Sequence, residues 1–280
     1  MRKRRTLVGL LLAAASLVGV TGALAISNGA PDGNGHPNVG MLAIDDGGVL
    51  YSVCSGSYAG PQKGAPTTGV FLTAGHCIAW IPGSGFDASD LWVTFDTGAT
   101  WDEETGEVTG ATTWYQATDF AFDPAFGHDS GNLKDYAVVL LETTVPVAPV
   151  QLATAGQLDQ MAANGGLRPG AVFDNVGYGV VPSFKQGPPR GAAPPGRMFS
   201  TSRFQGLTQA WLKLLMNSDV PGGNGGVCYG DSGSPKFIHG SNTVVAVTTG
   251  GDRYCRAENY NQRLDVADAR ALLGQYLNLP

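Results

Sequence analysis

Three residue types able to cooperate in acyl transfer recur in short, distinctive settings. Cys228-Tyr-Gly-Asp-Ser-Gly-Ser-Pro235 puts Ser232 between glycines on a turn, with its hydroxyl unshielded. Backbone N–H groups converging on such a turn can stabilise an oxyanion forming on an attacked carbonyl. Gly, Asp and Ser also favour ordinary turns, so this stretch alone is ambiguous. Upstream lies Thr73-Ala-Gly-His76-Cys77, and between the two lies Asp135-Tyr-Ala-Val-Val-Leu-Leu141. A serine hydroxyl is a weak nucleophile until a base takes its proton. Of the four histidines, His36 precedes a proline, His128 lies in a polar loop and His239 abuts a turn glycine, and solvent exposure accounts for these three. His76 alone follows an apolar strand and precedes a cysteine that would fix its backbone. A carboxylate beside the distal nitrogen would hold the tautomer and stabilise the imidazolium. Asp135, which opens a buried strand, can do this; Asp119 and Asp129 are its rivals.

The chain order His, Asp, Ser is that of one known triad type. A nucleophile elbow is excluded, because Ser234 stands where Gly-x-Ser-x-Gly needs its last glycine. An α/β-hydrolase would also place its aspartate and histidine after the serine, where only His239 follows. These blocks closely resemble the chymotrypsin/trypsin-like serine proteases. The segment from Asp135 resembles the family's Asp-Ile-Ala-Leu-Leu, which favours Asp135 over its rivals. The resemblance covers most of residues 26–277, with specific motifs near Ile26, His76, Asp135, Ser232 and Gly250.

The resemblance implies an all-β fold of two packed antiparallel six-stranded β-barrels with a C-terminal α-helix, the barrels spanning about 26–148 and 149–280. It implies His76, Asp135 and Ser232 as catalytic residues, and the N–H groups of Gly230 and Ser232 as an oxyanion hole. Gly226, six residues before the nucleophile, would lie on the pocket floor, with Thr248 and Gly250 in its wall. No carboxylate would then meet a buried Lys or Arg, which implies preference for an apolar or aromatic side chain. Asp252 and Glu258 stand in nearby segments and could supply charge. Ser234 and Thr248-Thr249-Gly250 depart from the family pattern, which usually has a glycine and Ser-Trp-Gly there. A catalytically silent binding protein on the same fold is the rival reading; a blocked cleft would favour it.

The compartment follows from the first residues. Met1-Arg-Lys-Arg-Arg5, the apolar run Leu7–Val20 and Ala23-Leu-Ala25 form a secretory signal peptide, cleaved after Ala25. The apolar run is too short for a membrane anchor, which needs roughly 20 residues. Four of the 17 basic residues precede that site and no acids do, so the formal charge moves from −6 to −10. Such acidity argues against nucleic-acid or anionic-membrane partners. Peptide or protein substrates and a soluble, secreted monomer are expected. Four cysteines in a secreted chain predict two disulfides, with three pairings open. The resemblance selects Cys54–Cys77 and Cys228–Cys255. There is no Cys-x-x-Cys pair, and neither metal nor cofactor is implied.

Gly 41 and Pro 17 among short Val, Thr and Tyr runs predict a turn-rich β protein without solenoid repeats. Val39–Ile44, Val49–Tyr58, Val70–Thr73, Leu91–Phe95 and Tyr136–Leu141 read as strands. Val145–Pro149 reads as the connection between barrels. Residues 182–197, rich in proline and glycine, read as an irregular surface loop. Leu207–Met216 is ambiguous by pattern and a strand by resemblance. Asp265 is expected to cap a final helix whose Val266, Ala269, Leu273 and Tyr276 share a face. Finally, the resemblance implies that cleavage after Ala25 frees an Ile26 ammonium to pair with Asp231, without a separate activation step.

Overall fold

The computed structural model describes residue 26 and residues 28–182, 191–192, 194–219 and 223–280; the expected signal peptide and the middle of the Pro-rich loop lie outside them. Twelve strands form two closed barrels. In the first, β1 (Val39–Asp46), β2 (Val49–Gln62), β3 (Ala65–Thr73), β4 (Leu91–Thr94), β5 (Tyr115–Phe122) and β6 (Ala137–Leu141) pair in the order β1-β2-β3-β6-β5-β4. In the second, β7 (Val172–Gly177), β8 (Met198–Leu207), β9 (Trp211–Leu215), β10 (Pro235–Ile238), β11 (Thr243–Gly251) and β12 (Glu258–Arg263) pair as β7-β8-β9-β12-β11-β10. The connectivity is the same in both halves and every barrel pairing is antiparallel. Closure leaves no barrel edge to template unwanted pairing.

The unbroken apolar run of β6 has a simple cause. Alternate strand residues face opposite sides. Ala137, Val139 and Leu141 fill the first barrel with Phe71, Leu91 and Val93. Val138 and Leu140 point the other way, into a cluster shared with Val176, Phe237, Val244 and Val247 of the second barrel. Both faces are therefore buried. Phe173, Leu212, Leu214, Val245 and Ala246 pack the second barrel's interior.

The seam also carries polar ties. Buried Arg197 gives Nε to Asp32 Oδ2 at 2.8 Å and Nη1 to the carbonyls of Val39 and Phe95 at 3.0 and 3.1 Å. Tyr178 reaches the Asp96 carbonyl at 3.1 Å.

Several local expectations need correction. The last helix, α2 (Ala267–Tyr276), is preceded at its N-cap by Val266, not Asp265. The Asp265 carboxylate is taken instead by Arg263, at 2.9 Å from both Nε and Nη2, and by Leu158 N–H at 2.8 Å. Leu158 belongs to a short helix, α1 (Gln157–Ala163), that sequence reading did not anticipate; Leu158 is its only buried residue, too little for a periodic signal. The Pro-rich stretch holds a short regular pairing, of Val181 with Ala192 and Pro182 with Gly191. Leu207–Met216 is strand, turn and strand.

Candidate active site

His76, Asp135 and Ser232 all stand next to strand ends. Residues Gly75–Cys77 make one 3₁₀ turn after β3, Asp135 lies two residues before β6, and Ser232 lies three before β10. β3 and β6 are paired, with Thr73 opposite Ala137, so the turn after one strand meets the start of the other. Asp135 is completely buried. Its Oδ2 lies 2.8 Å from His76 Nδ1, and its Oδ1 accepts the backbone N–H of His76, also at 2.8 Å. Ring and backbone of one histidine are thus gripped by one carboxylate, while the imidazole keeps 35% exposure.

The second barrel places the Ser232 turn against β2 and the end of β3. Ser232 C=O accepts from Ser55 N–H of β2 at 2.8 Å. Beside Ser55, Cys54 is bonded to Cys77, the neighbour of His76. Ser55 does more: its hydroxyl donates to Gly230 C=O at 2.9 Å and accepts from Tyr178 N–H at 3.0 Å. Its own carbonyl takes the Thr73 hydroxyl at 2.8 Å. Gly233, at φ 75°, passes so near this clamp that a Cβ would lie 2.1 Å from Thr73 Oγ1. A glycine is therefore required after the serine. No sequence pattern marked Ser55, and Thr73, although part of the block around His76, was given no role there.

Asp231 N–H donates to Cys228 C=O at 3.0 Å, and among the described residues the N–H groups flanking it, of Gly230 and Ser232, have no acceptor. Two free donors beside the serine can receive a developing oxyanion. The Asp231 carboxylate turns inward, accepting from Gly179 N–H and Cys228 N–H at 2.9 Å each. Burial pushes its pKa up to about 6, against the pull of those donors and of Lys236. Burial likewise lowers the Lys236 ammonium to about 7, against the attraction of Asp231. Ile26 is wholly buried beside Met198, with φ 56°. Because Ala25 precedes it in the 280-residue chain, its nitrogen is an uncharged amide.

A pocket of about 210 Å³ adjoins Ser232, lined by Val227, Cys228, Tyr229, Thr248–Asp252 and Cys255. Thr248 and Gly250 therefore line it, as does Asp252. Gly226 does not: it lies beneath, where a Cβ would meet Met216 Cγ at 2.2 Å. Asp252 is the knot of its own loop, accepting N–H groups from Tyr254, Arg256, Ala257 and Glu258. Cys228–Cys255 joins the serine's turn to this wall. On the other side, Trp101 gives Nε1 to Tyr178 C=O at 2.8 Å and sets its ring against Gly230.

Two further histidines have carboxylate partners; His239 is exposed as expected, whereas His36 is largely covered. His36 Nδ1 lies 2.6 Å from Asp32 and His239 Nδ1 2.6 Å from Asp174. His36 also stacks on Phe199, 5.6 Å between centroids. A His–Asp pair is thus not diagnostic here; of the three histidines, His76 is the one that follows the end of β3, where Thr73 and Ala74 lie against Gly233. Cys54 and Cys77 sulfurs lie within 4.8 Å of a His76 ring nitrogen, but the disulfide leaves them no thiolate for a metal.

With this arrangement in place, comparison with known proteins is direct. The trypsin family model matches residues 28–269. The chain belongs to the trypsin family. No individual curated protein matches it. The match spans both barrels and all three residues discussed above. As a trypsin-family chain it has a serine-protease fold and the family's class of peptide or protein substrates. Among the described residues, no helix is long and apolar enough to cross a membrane.

Proposed function

We propose that this chain is a secreted serine endopeptidase acting through an acyl-enzyme. Ser232 Oγ attacks the scissile carbonyl while His76 takes its proton, then returns that proton to the leaving amine. Asp135 fixes the proton on His76 Nδ1, leaving Nε2 free to face the serine, and stabilises the imidazolium as it forms. The N–H groups of Gly230 and Ser232 receive the oxyanion. Water then repeats the sequence on the ester. The observation that carries the reading is the 2.8 Å contact between His76 Nδ1 and a fully buried Asp135, together with a serine turn against the end of β3 whose Gly230 and Ser232 N–H groups have no acceptor among the described residues.

The pocket beside Ser232 would take the side chain before the scissile bond. Its described lining has one carboxylate, Asp252, and four backbone N–H groups already occupy that group. An arriving Lys or Arg would meet a carboxylate already committed to its own loop, and its desolvation would be poorly compensated. Apolar or aromatic residues are therefore preferred. Residues 1–25 direct export and are removed after Ala25. Casein hydrolysis that is abolished by a serine-directed organophosphate tests the reading. Absence of hydrolysis in the correctly processed, folded chain would reject it in favour of a silent binding protein.

A further inference from the structure

The direction of the Gly230 N–H is set by the peptide bond it belongs to. Tyr229 C=O, the other half of that planar trans unit, accepts from Val180 N–H at 2.7 Å, which leaves the Gly230 N–H facing the opposite way. Gly230 has φ 93° and no side chain, so nothing local keeps the chain in this orientation. The support comes from residues 178–180, which meet the turn three times. Val180 N–H holds Tyr229 C=O, Gly179 N–H donates to Asp231 Oδ1 at 2.9 Å, and Tyr178 N–H reaches Gly230 C=O through the Ser55 hydroxyl.

Trp101 touches both stretches. Its Nε1 donates to Tyr178 C=O at 2.8 Å. Its ring covers Gly230 on the side where a Cβ would point, with Cζ2 only 2.9 Å from that position. The ring also packs against the cluster of Val180, Met216, Val227, Cys228 and Cys255. Yet the residue is carried by the first barrel. Thr100–Trp101 pairs with Val108–Thr109, and Gly106 between them accepts Ser52 N–H of β2 at 2.9 Å. We propose that Trp101 is a positioning residue for the oxyanion donors, clamping residues 178–180 against Gly230 so that the Tyr229–Gly230 peptide keeps its N–H toward the substrate. An indole suits the task because it is bulky, rigid and held at its polar end as well as over its face. The kinetic consequence rests on the serine-protease reading; the order imposed on the turn does not.

The test compares the parent with Trp101→Phe, Trp101→Leu and Thr100→Val. Trp101→Phe keeps a ring but no donor for Tyr178 C=O, and Trp101→Leu keeps neither. The kcat should fall about tenfold in the first and about 10²-fold in the second, the scale of losing an oxyanion donor, with KM nearly unchanged in both. Thr100→Val cuts a neighbouring tie of the same hairpin, from Thr100 Oγ1 to Pro194 C=O, and should keep parental kcat. Parental kcat in Trp101→Leu, a loss carried by KM alone, or an equal loss in Thr100→Val would overturn the proposal. Hydrogen exchange of the backbone at 178–180 and 228–233 needs no turnover. Trp101→Leu should speed it and Thr100→Val should not; unchanged exchange in Trp101→Leu would also overturn the proposal. A parent without hydrolysis whose exchange still responds to Trp101→Leu would reject the protease reading and leave the clamp standing. Should Trp101→Leu not fold, Trp101→Phe decides by the same two readouts.

Discussion

One carboxylate, that of Asp135, holds His76 twice, through Nδ1 and through the backbone N–H, each at 2.8 Å. An asparagine could keep only one of these contacts in its present sense. With its oxygen on the backbone N–H, its amide would face Nδ1 and force the proton to Nε2, the wrong tautomer for a base. Asp135→Asn should therefore keep the fold and lose about 10⁴ in kcat, as other triads do. Circular dichroism and steady-state kinetics check both halves. Parental kcat would show that another group orients the ring.

Ser55 is expected to matter although it would touch no substrate. Ser55→Ala removes the bridge between Gly230 C=O and Tyr178 N–H, leaving two polar groups in a largely dry seam. The cost should be about 1–3 kcal/mol of stability. The turn would lose its side-chain tie to β2 while keeping the backbone bond from Ser55 N–H to Ser232 C=O, so kcat should fall about tenfold, a smaller loss than removing an oxyanion donor outright. Chemical denaturation and kinetics of the purified variant measure the two effects. Ser55→Thr keeps the hydroxyl and should recover part of the kinetic loss.

Specificity is checked with a peptide library. Cleavage should be dominated by apolar and aromatic residues before the scissile bond. Gly226→Ala would drive a methyl into Met216 beneath the pocket. Overpacking of that kind costs about 1–3 kcal/mol. A profile dominated by Arg or Lys would end this account of the pocket.

The Cys228–Cys255 bridge spans 27 residues and ties the serine's turn to the pocket wall. Replacing both cysteines by alanine should cost roughly 2–5 kcal/mol. Thermal unfolding gives the loss. Peptide mapping without reduction should return Cys54 joined to Cys77 and Cys228 joined to Cys255.

Acid sensitivity should centre in part on the seam. Burial raises the Asp32 pKa, but hydrogen bonds from His36 and Arg197 outweigh it and leave the value below the usual 3.8. A carboxyl lowered by folding adds stability that is fully present above its unfolded value and is lost as pH falls through the folded one. Asp32→Asn should therefore destabilise the protein at pH 7 and much less near pH 3. Urea midpoints across that range give the answer; a pH-independent difference would contradict it.

The two-barrel frame was legible in the sequence because its strands are short apolar runs cut by turns, and the resemblance supplied their order. The candidate triad was legible because each member sits where a strand meets a turn. What escaped depended on partners far along the chain. Ser55 lies in an ordinary alternating strand, and its importance comes from Gly230, 175 residues away. Lys236 looks like a surface lysine until β10 is enclosed on both sides by β7 and β11. Asp265 satisfies the local rule for a helix cap, yet buried Arg263, two residues earlier, takes its carboxylate. Local propensity yields wherever a buried charge needs a partner.

The central claim is that Ser232 is the nucleophile of a working site. The most direct measurement is labelling of the folded protein with a fluorophosphonate, followed by peptide mapping. The account predicts one stoichiometric adduct on Ser232, formed in step with loss of hydrolysis, and neither adduct nor hydrolysis in Ser232→Ala. Hydrolysis surviving in Ser232→Ala, or an adduct settling on another serine as activity disappears, would contradict it.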